Sequence, residues 1–397
     1  MRQFNRKSFV AAMASAVATM GGAAGAFAAP EQTVEEIVIT AQKREQKISE
    51  IPVAVQAFSS EQLESAGIRD LSELINSVPG ASEGRSTNTG TRSYQIRGMT
   101  SFYGDSTVGY FLDDAVFTIL NRNWAPVART FDVERVEVLR GPQGTLYGLG
   151  AMGGSVRFIT ADPDLKKFRA RGGAGYSSTQ GGDANWTADA AVSVPLSQDV
   201  AAIRVSASKG HRGGFAESPT FPGEKNVTGN ETYRIKLLAK PSQDFTVKVG
   251  HQRSDDKDSK GNQLEYTPGT SPATETFTGR YPVSTMLGAP VSTFNNTKTD
   301  VSSLYLSYDL GSVLVESSSG HVKATASGRV PVNNLILHTG LDATTTSSEL
   351  RLVSKDKGPL RWIAGVMMLD AKTAEDVRLE AASPLFPGAA VILGGPT

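Results

Sequence analysis

One continuous run of residues carries most of the information about the architecture of this chain: it reads FDVERVEVLRGPQGTLYG, from Phe131 to Gly148. The part of this run as far as Arg140 has the form of a β-strand. The Gly141-Pro142 dipeptide that follows predicts a tight turn. A second run, Gly154 to Thr160, is rich in β-branched residues and predicts a further strand. Together the two runs predict a strand, a glycine turn and another strand.

The N-terminus has the features of a secretory signal peptide. Positive charges at Arg2, Arg6 and Lys7 precede an apolar stretch, and Ala26-Phe27-Ala28 has the form of an A-x-A cleavage site. The alternative is a membrane anchor, because residues 8–30 carry no charge. That stretch is mostly Ala and Gly, which are too weakly apolar for a good transmembrane span. We therefore expect residues 1–28 to be a signal peptide.

A short β-branched segment follows soon after the expected cleavage site. We call it the leading segment, and its residues are Glu35, Glu36, Ile37, Val38, Ile39, Thr40 and Ala41. Polar residues follow it as far as Lys47, so no hairpin partner is evident. An isolated strand suits β-augmentation, in which an extended peptide joins the edge of another protein's sheet. The alternative is the first strand of the domain that follows.

The leader, the leading segment and the run from Phe131 resemble those of TonB-dependent outer-membrane receptors, and they occur in the same order. The resemblance implies that residues 29–44 contain a TonB box, in the leading segment, and that residues 45–163 form a plug domain. Only Ala29 to Val34 separate leader and box, which implies that no signalling domain lies between them. The residues that match the plug signature are Arg97, Gly98, Asp113, Glu134, Arg135, Glu137, Arg140, Gly141, Pro142, Gly144, Tyr147, Gly148, Gly153 and Gly154.

Local patterns within the plug region predict a small α+β unit. Ser59-x-x-Gln62 has the form of a capping box, and Asp70-x-x-Glu73 repeats it, so we expect two short helices. The second helix has apolar residues at i, i+3, i+4 and i+7. A polar loop is expected over Ser82 to Ser93. Strands are predicted over residues 51–58, 94–98, 108–112 and 133–139, and together they give a mixed sheet.

Several residues of the signature invite a more specific interpretation. The charges of Glu134, Arg135, Glu137 and Arg140 are interpreted as structural, pairing with opposite charges on a surrounding wall. Many relatives have Asp-Gly after the tyrosine strand, where this chain has Asp113-Asp114, and Asp-Gly suits a primed hairpin turn better. A phosphate-binding loop at residues 141–144 is disfavoured, since the Lys-Ser/Thr pair is missing and a proline removes one donor amide.

From residue 169 onward, apolar residues recur with a period of two. Ile203, Val205 and Ala207 alternate with polar residues, as do Tyr233 and Ile235. This pattern fits the wall of a transmembrane β-barrel with a wet lumen, and a soluble β-sandwich is the alternative. Nine strands are predicted, near residues 169–176, 184–194, 200–212, 231–240, 245–255, 301–309, 313–322, 345–354 and 360–371.

The lengths of the connections favour the barrel over the sandwich. Short connections, such as 241–244 and 310–312, alternate with mostly long ones, namely 213–230, 256–300 and 323–344. Outer-membrane barrels combine short periplasmic turns with longer external loops. Transporters of this kind have roughly 22 strands, so we interpret residues 164–397 as the N-terminal portion of a transmembrane β-barrel. The chain is then a fragment of a longer receptor, and a degenerate short receptor is the alternative.

Composition excludes several classes of function. Lys+Arg and Asp+Glu both number 40, and a net charge of zero argues against a nucleic-acid-binding protein. The chain has no cysteine, so disulfides, thiol catalysis and cysteine-ligated metals are excluded. Its histidines are scattered, and Asp255-Asp256-x-Asp258 lacks the Gly and Glu of a calcium loop. We predict no catalytic residues, no metal site and no cofactor.

The resemblance implies energised import across the outer membrane of a Gram-negative bacterium. Its partners are then periplasmic TonB, outer-membrane lipid and a small-molecule ligand. A ferric siderophore, which is a metal chelate, is the family's commonest cargo, and oligosaccharides, vitamin B12 and aromatic compounds are alternatives. The rival class is a passive porin-like channel or a surface-binding β-barrel protein. The candidate substrate-facing residues of the plug are Arg85, Arg92, Phe102, Tyr103 and Asp105.

Overall fold

The computed structural model describes residues 38–40, 43–44, 46–47, 49, 51, 53–84, 92–101, 104–120, 124–126, 128–148, 150–215, 225, 227–259, 294–332, 335–355, 360–381 and 390–392. The described residues between 38 and 160 form an α/β unit. The described residues between 169 and 392 form a long antiparallel sheet, which we call the wall. None of the helices in these ranges is long and apolar enough to cross a membrane.

Among its described residues, the α/β unit combines three short helices with nine strands. The helices are α1 (Ser60–Ser65), α2 (Leu71–Asn76) and α3 (Gly144–Tyr147). The strands are β1 (Val38–Ile39), β2 (Gln46–Lys47), β3 (Val55–Ser59), β4 (Ala81–Glu83), β5 (Tyr94–Ile96), β6 (Val108–Leu112), β7 (Ala115–Val116), β8 (Val133–Arg140) and β9 (Gly154–Thr160). Five of them form a sheet in the order β3-β8-β9-β6-β7, in which β6 and β9 are parallel. The predicted mixed sheet is confirmed.

Side-chain caps explain where the first two helices begin. The hydroxyl of Ser59 accepts a 3.3 Å hydrogen bond from the backbone N–H of Gln62, whose side chain accepts one of 3.0 Å from the N–H of Ser59. Asp70 accepts a 3.0 Å bond from the N–H of Glu73 at the start of α2. These caps satisfy N–H groups that a helix leaves without an internal partner. Both predicted helices are confirmed.

Some short elements differ from the prediction. The leading segment has a hairpin partner, because Val38 pairs with Lys47 and Ile39 with Gln46. The expectation of an isolated strand is therefore wrong: strand pairing uses backbone groups, and polar residues can supply them. In addition, β4 overlaps the start of the expected polar loop and pairs with β5, and α3 follows the Gly141-Pro142 turn.

The wall is an antiparallel sheet of ten described strands, each paired with the next in sequence. They are β10 (Arg169–Ser178), β11 (Ala184–Ser197), β12 (Ala201–Arg212), β13 (Thr228–Ala239), β14 (Phe245–Ser259), β15 (Phe294–Asp309), β16 (Val313–Val332), β17 (Leu335–Ser354), β18 (Ile363–Ala381) and β19 (Ala390–Ile392). The nine predicted strands are confirmed. Val205 and Ile235 are exposed, whereas their neighbours Arg234 and Lys236 are buried, so the period of two separates an apolar outer face from a polar inner face.

One predicted long connection is wrong. Residues 323–344 belong to a continuous hairpin, since β16 and β17 pair from Val313 opposite Ser354 to Val332 opposite Leu335. Small residues such as Ala324 blur the apolar–polar alternation there, but backbone pairing does not need that alternation. We call the end of the wall with the short connections the turn end, and the opposite end the loop end.

The α/β unit packs directly against the inner face of the wall. Its core, which includes Phe158, extends to Val301 and Val322 on wall strands. At Gly320 of β16, a Cβ atom would lie only 2.6 Å from the Cβ of Ala115. Glycine at this position therefore lets the wall approach the β6–β7 hairpin closely.

Candidate functional site

Glu137, a plug-signature residue on β8 (the signature strand), joins the leading segment to the centre of the α/β unit. Its side chain is completely buried. Its Oε1 atom accepts a 3.0 Å hydrogen bond from the backbone N–H of Thr40 and one of 2.8 Å from Nε of Arg135. Its Oε2 atom accepts a 2.8 Å bond from Arg157 on β9. One buried carboxylate thus binds the leading segment, β8 and β9 together.

Arg157 binds the leading segment as well. Its guanidinium donates 2.8 Å hydrogen bonds to the carbonyl oxygen and to Oγ1 of Thr40. The neighbouring Ile39 is completely buried. Both backbone groups of Thr40 are therefore bound, through contacts that do not depend on its side chain. The other residues of the segment that were predicted as a TonB box, Glu35, Glu36, Ile37 and Ala41, lie outside the described residues.

The charge state of Glu137 follows from its neighbours. Burial alone would raise its pKa, but the positive charge of Arg157, the hydrogen bond from Thr40 and the charge of Arg135 outweigh burial. The pKa of Glu137 is therefore lowered, and the carboxylate is ionised at neutral pH. This ionised acceptor strengthens its hydrogen bonds, because bonds to a charged partner are stronger than neutral ones.

A second cluster connects the chain just after the leading segment with the wall. Nζ of Lys43 lies 3.1 Å from Oε2 of Glu349 on β17 and 3.9 Å from Oδ1 of Asp114. The same Nζ lies 5.1 Å from the centroid of the Tyr147 ring, within the range of a cation–π contact. Asp114 in turn lies 3.5 Å from Nη2 of Arg351 on β17. This cluster fastens the start of the α/β unit to the wall.

Asp114, the second residue of the β6–β7 turn, provides the central carboxylate of this cluster. Burial would raise the pKa of Asp114, but nearby positive charges, that of Arg351 first, lower it to about 2. The preceding Asp113 has a positive φ of 52°, a conformation that Asp tolerates. It lies 3.4 Å from Lys236 of β13, so both turn residues contact the wall.

The predicted contacts between the signature strand and the wall are wrong. Glu134 pairs with Arg135 at 2.5 Å, and Arg140 donates a 3.1 Å hydrogen bond to the carbonyl oxygen of Pro79. Glu137 likewise makes its contacts within the α/β unit. The physical reason is that Glu137 lies opposite Arg157 in the register of β8 and β9 and that Thr40 bonds to both, so the partners of Glu137 come from within the α/β unit.

Acidic residues outside the strands of the α/β unit make the wall contacts instead. Both carboxylate oxygens of Asp132 accept 3.0 Å hydrogen bonds from Nε of Arg204, and its carbonyl oxygen accepts one of 2.8 Å from Arg234. Asp162 lies 2.7 Å from Nζ of Lys236. The sequence holds one signal that points to these pairs, namely the cations on the polar faces of the predicted wall strands.

The remaining signature residues shape the turns around β8 and β9. A Cβ atom at Gly154 would lie 2.2 Å from the carbonyl oxygen of Leu139. Gly141 has a φ of +112°, and a Cβ there would lie 2.8 Å from Nη1 of Arg97. These positions therefore require glycine. The others lie just after β5 or between β8 and β9: Gly98, Pro142, Gly144, Gly148 and Gly153.

The described residues line two cavities between the α/β unit and the wall that bear on function. The loop-end cavity, of about 250 Å³, is lined by the α/β unit and by the loop end of β10 to β15. The turn-end cavity, of about 930 Å³, is lined by the charged cluster that includes Lys43, Asp114 and Arg351. In the part of the chain that the structure describes, no group of three or more His, Asp or Glu residues is placed to hold a metal ion.

The predicted substrate-facing residues do not all come together. Arg92 lines the loop-end cavity and donates a 2.5 Å hydrogen bond to Oγ of Ser72. Asp105 is exposed and is not part of the cavity lining. Arg85, Phe102 and Tyr103 lie outside the described residues.

Comparison with known proteins identifies the α/β unit. Residues 47–155 match the family model of the TonB-dependent receptor plug domain. The chain is 36% identical over 139 residues to the iron-regulated outer membrane virulence protein of Vibrio cholerae, a match that covers 32% of this chain and 20% of that protein. It is 30% identical over 138 residues to the vitamin B12 transporter BtuB of Vibrio vulnificus, covering 34% of this chain and 22% of that protein.

The fold extends the similarity beyond the plug. The crystal structure of the ferric yersiniabactin uptake receptor FyuA from Yersinia pestis superposes with a TM-score of 0.69 at 21% identity, covering 84% of this chain and 50% of that chain. The chain thus spans about half the length of this solved relative. An outer-membrane location follows from the plug match and the relatives' own location. Residues 47–155 are thus similar to the plug domain of TonB-dependent outer-membrane receptors, and the plug with the antiparallel strands that follow has the fold of part of such a receptor.

Proposed function

We propose that the protein is a transporter that imports a scarce ligand across the outer membrane with energy delivered by TonB. The observation that carries this proposal is the hydrogen bond between the backbone of Thr40 and the buried carboxylate of Glu137. A force that pulls on the leading segment from the periplasm would reach the central strands β8 and β9 through this bond and through those from Arg157. In this proposal the protein transports its ligand across the membrane and catalyses no reaction.

We propose one role for each of four successive parts of the chain. Residues 1–28 are a cleaved leader, residues 29–44 carry the TonB box, residues 45–163 are the plug and residues 164–397 are a portion of the transmembrane barrel. TonB would add a strand to the leading segment by β-augmentation. The β1–β2 pairing that competes with it is only two residues long on each strand, so little backbone pairing has to be given up.

The contacts with the wall suggest which part of the plug moves. Asp132 fastens the plug to β12 and β13 through Arg204 and Arg234. Thr40 and Lys43 border the turn-end cavity, and the ion pair of Lys43 with Glu349 of the wall would have to break before they move. Displacement of these residues by TonB would widen that cavity while Asp132 keeps the rest of the plug in place.

A ferric siderophore is the cargo that the relatives favour. The virulence protein of Vibrio cholerae is named as iron-regulated, and FyuA is named as an uptake receptor for ferric yersiniabactin. A vitamin B12 transporter has a similar plug, so the plug alone does not select the cargo. Oligosaccharides, vitamin B12 and aromatic compounds are therefore the alternatives to be tested beside iron chelates.

Uptake and surface binding, measured separately, test the proposal. Cells that produce the receptor are given a panel of radiolabelled ferric siderophores, with and without TonB. We expect uptake to be lost without TonB while surface binding is unchanged, and deletion of Glu35 to Ala41 should have the same effect. A passive channel or a surface-binding protein would be indifferent to both changes, and that result would overturn the proposal.

A further inference from the structure

The loop-end cavity has a polar lining that comes from both the plug and the wall. The plug contributes Arg92, Trp124 and Arg129, and strands β13 and β14 contribute Asn230 and Asp256. Its volume of about 250 Å³ is smaller than the roughly 300–1,000 Å³ of pockets that enclose drug-sized ligands. The cavity therefore suits a small organic acid, or one polar arm of a larger ligand.

Three polar atoms of this lining have no hydrogen-bond partner among the described residues. They are Nε of Arg129, Oδ1 of Asn230 and Oδ2 of Asp256, and each is shielded from solvent. Buried polar atoms are nearly always hydrogen-bonded, so each exception needs an explanation. Three exceptions from three separate segments, meeting in one cavity, are explained together if a ligand supplies the partners.

The pairing of β13 with β14 places two of these atoms side by side. Asn230 and Asp256 are directly opposite each other in the register of the two strands. Residues opposed in this way have Cβ atoms about 4.5–5.5 Å apart, so both side chains can bind one ligand group. Oδ1 of Asn230 and the carboxylate of Asp256 are acceptors, which require a donor such as a hydroxyl group.

Besides this hydroxyl donor, the ligand should carry a negative charge, because the lining of the cavity is rich in arginine. Arginines outnumber acids in it: Arg69, Arg92, Arg129 and Arg212 stand against Asp70 and Asp256. The guanidinium groups offer donors in the fork geometry that suits a carboxylate. A ligand with a carboxylate for the plug side and a hydroxyl group for the wall side satisfies both sets of partners.

We propose that the loop-end cavity binds a hydroxycarboxylate, with its carboxylate on Arg129 and Arg92 and its hydroxyl group on Asp256 and Asn230. The buried ring of Trp124 provides an apolar surface for the carbon skeleton. The inference rests on the transport function proposed above and deepens it, because it names the cargo as an iron chelate built from hydroxycarboxylates. A hydroxamate chelate without a carboxylate leaves Nε of Arg129 without an acceptor.

Calorimetric titration of the purified receptor tests this assignment with two probes, ferric citrate and the hydroxamate chelate ferrioxamine B. We expect ferric citrate to bind and ferrioxamine B to bind at least tenfold more weakly, since loss of a charged hydrogen bond costs about tenfold or more in affinity. Asp256→Asn and Arg129→Gln should each weaken ferric citrate binding by about tenfold or more for the same reason. Circular dichroism of each variant establishes that it is folded.

Asp255→Asn is the matched control. It makes the same chemical change one residue earlier in β14, and alternation along the strand points that side chain to the opposite face. Asp255 does not line the cavity, so the affinity for ferric citrate should stay within about twofold of the unmodified receptor. A loss in Asp255→Asn equal to that in Asp256→Asn would overturn the inference.

Two further outcomes would also overturn it: no binding of ferric citrate, or equal binding of both chelates. If another chelate is then taken up with dependence on TonB, the transport function stands and only the hydroxycarboxylate assignment fails. If ferric citrate binds through Asp256 but uptake does not need TonB, the assignment stands as a binding site and the transport function fails.

Discussion

The backbone N–H of Thr40 donates a 3.0 Å hydrogen bond to Oε1 of Glu137, which lies 97 positions later in the chain. Arg157 and Arg135 hold the same carboxylate through bonds of 2.8 Å. The leading segment contributes backbone to this contact, whereas the plug contributes a buried charge. Substitutions on the two sides should therefore have unequal effects.

Glu137→Gln should loosen the leading segment. The amide keeps the shape of the side chain, but it has one acceptor oxygen and no charge for the two arginines. Losing a charged hydrogen bond costs about 1.5–3 kcal/mol, so hydrogen exchange at the Thr40 amide should become at least about tenfold faster. Glu134→Gln, at a half-exposed acid of the same strand, is the control and should leave the exchange rate unchanged. Equal rates in all three proteins would contradict the contact.

The stability of the receptor should depend on pH through Asp114. Its pKa in the folded protein is about 2, below the ordinary value of 3.8, so its contribution is fully present above about pH 5 and is lost as the pH falls toward 2. The difference in unfolding free energy between the receptor and Asp114→Asn should shrink by about 2 kcal/mol over that range. Denaturant unfolding at several pH values measures it, and a difference that does not change with pH would contradict the assignment.

Asp132 of the plug and Arg204 of the wall should be energetically coupled. A double-mutant cycle with Asp132→Asn and Arg204→Gln should give a coupling of about 1–3 kcal/mol, because Asp132 is 1% exposed and Arg204 is 11% exposed. The matched control is Lys209 with Glu231, a pair at 2.5 Å whose side chains are far more exposed. Its coupling should stay below about 1 kcal/mol. Similar couplings for both pairs would argue against a plug held by buried charge.

The hairpin of β16 and β17 should extend through residues 323–344. Thr325 and Asp342 are directly opposite each other, and opposed positions have the Cα separation that a disulfide needs. The double variant Thr325→Cys and Asp342→Cys should form an intramolecular disulfide under mild oxidation. Thr325→Cys combined with Gly340→Cys, two positions out of register, should form much less. Equal yields would indicate a loop rather than a hairpin.

Local signals in the sequence predicted most of the α/β unit. The capping box of Ser59 and Gln62 marks the start of α1, and the strand predicted over residues 108–112 coincides with β6. Alternation with a period of two likewise located nine wall strands. These features depend on neighbours in the chain, so the chain itself displays them.

The contacts that hold the site together could not be predicted in the same way. Thr40 meets Glu137, and Asp132 meets Arg204, across 97 and 72 positions of the chain. The first pair depends on how the leading segment folds onto the α/β unit, and the second depends on how that unit sits against the wall; no local pattern encodes either arrangement. The hairpin at residues 323–344 was not predicted for another reason. Many residues there are small, so the sequence shows no clear alternation between apolar and polar residues.

Energised transport through the leading segment is tested by Val38→Pro in the complete receptor. Proline removes a backbone donor and restricts φ, so it should prevent strand addition by TonB. We expect uptake of labelled ferric chelate to be abolished, whereas Val38→Thr, which keeps the β-branch, should retain most of it. Surface binding should be the same in both variants. Uptake that survives Val38→Pro, or binding that is lost together with uptake, would show that the segment is an ordinary strand of the plug and would contradict transport driven by TonB.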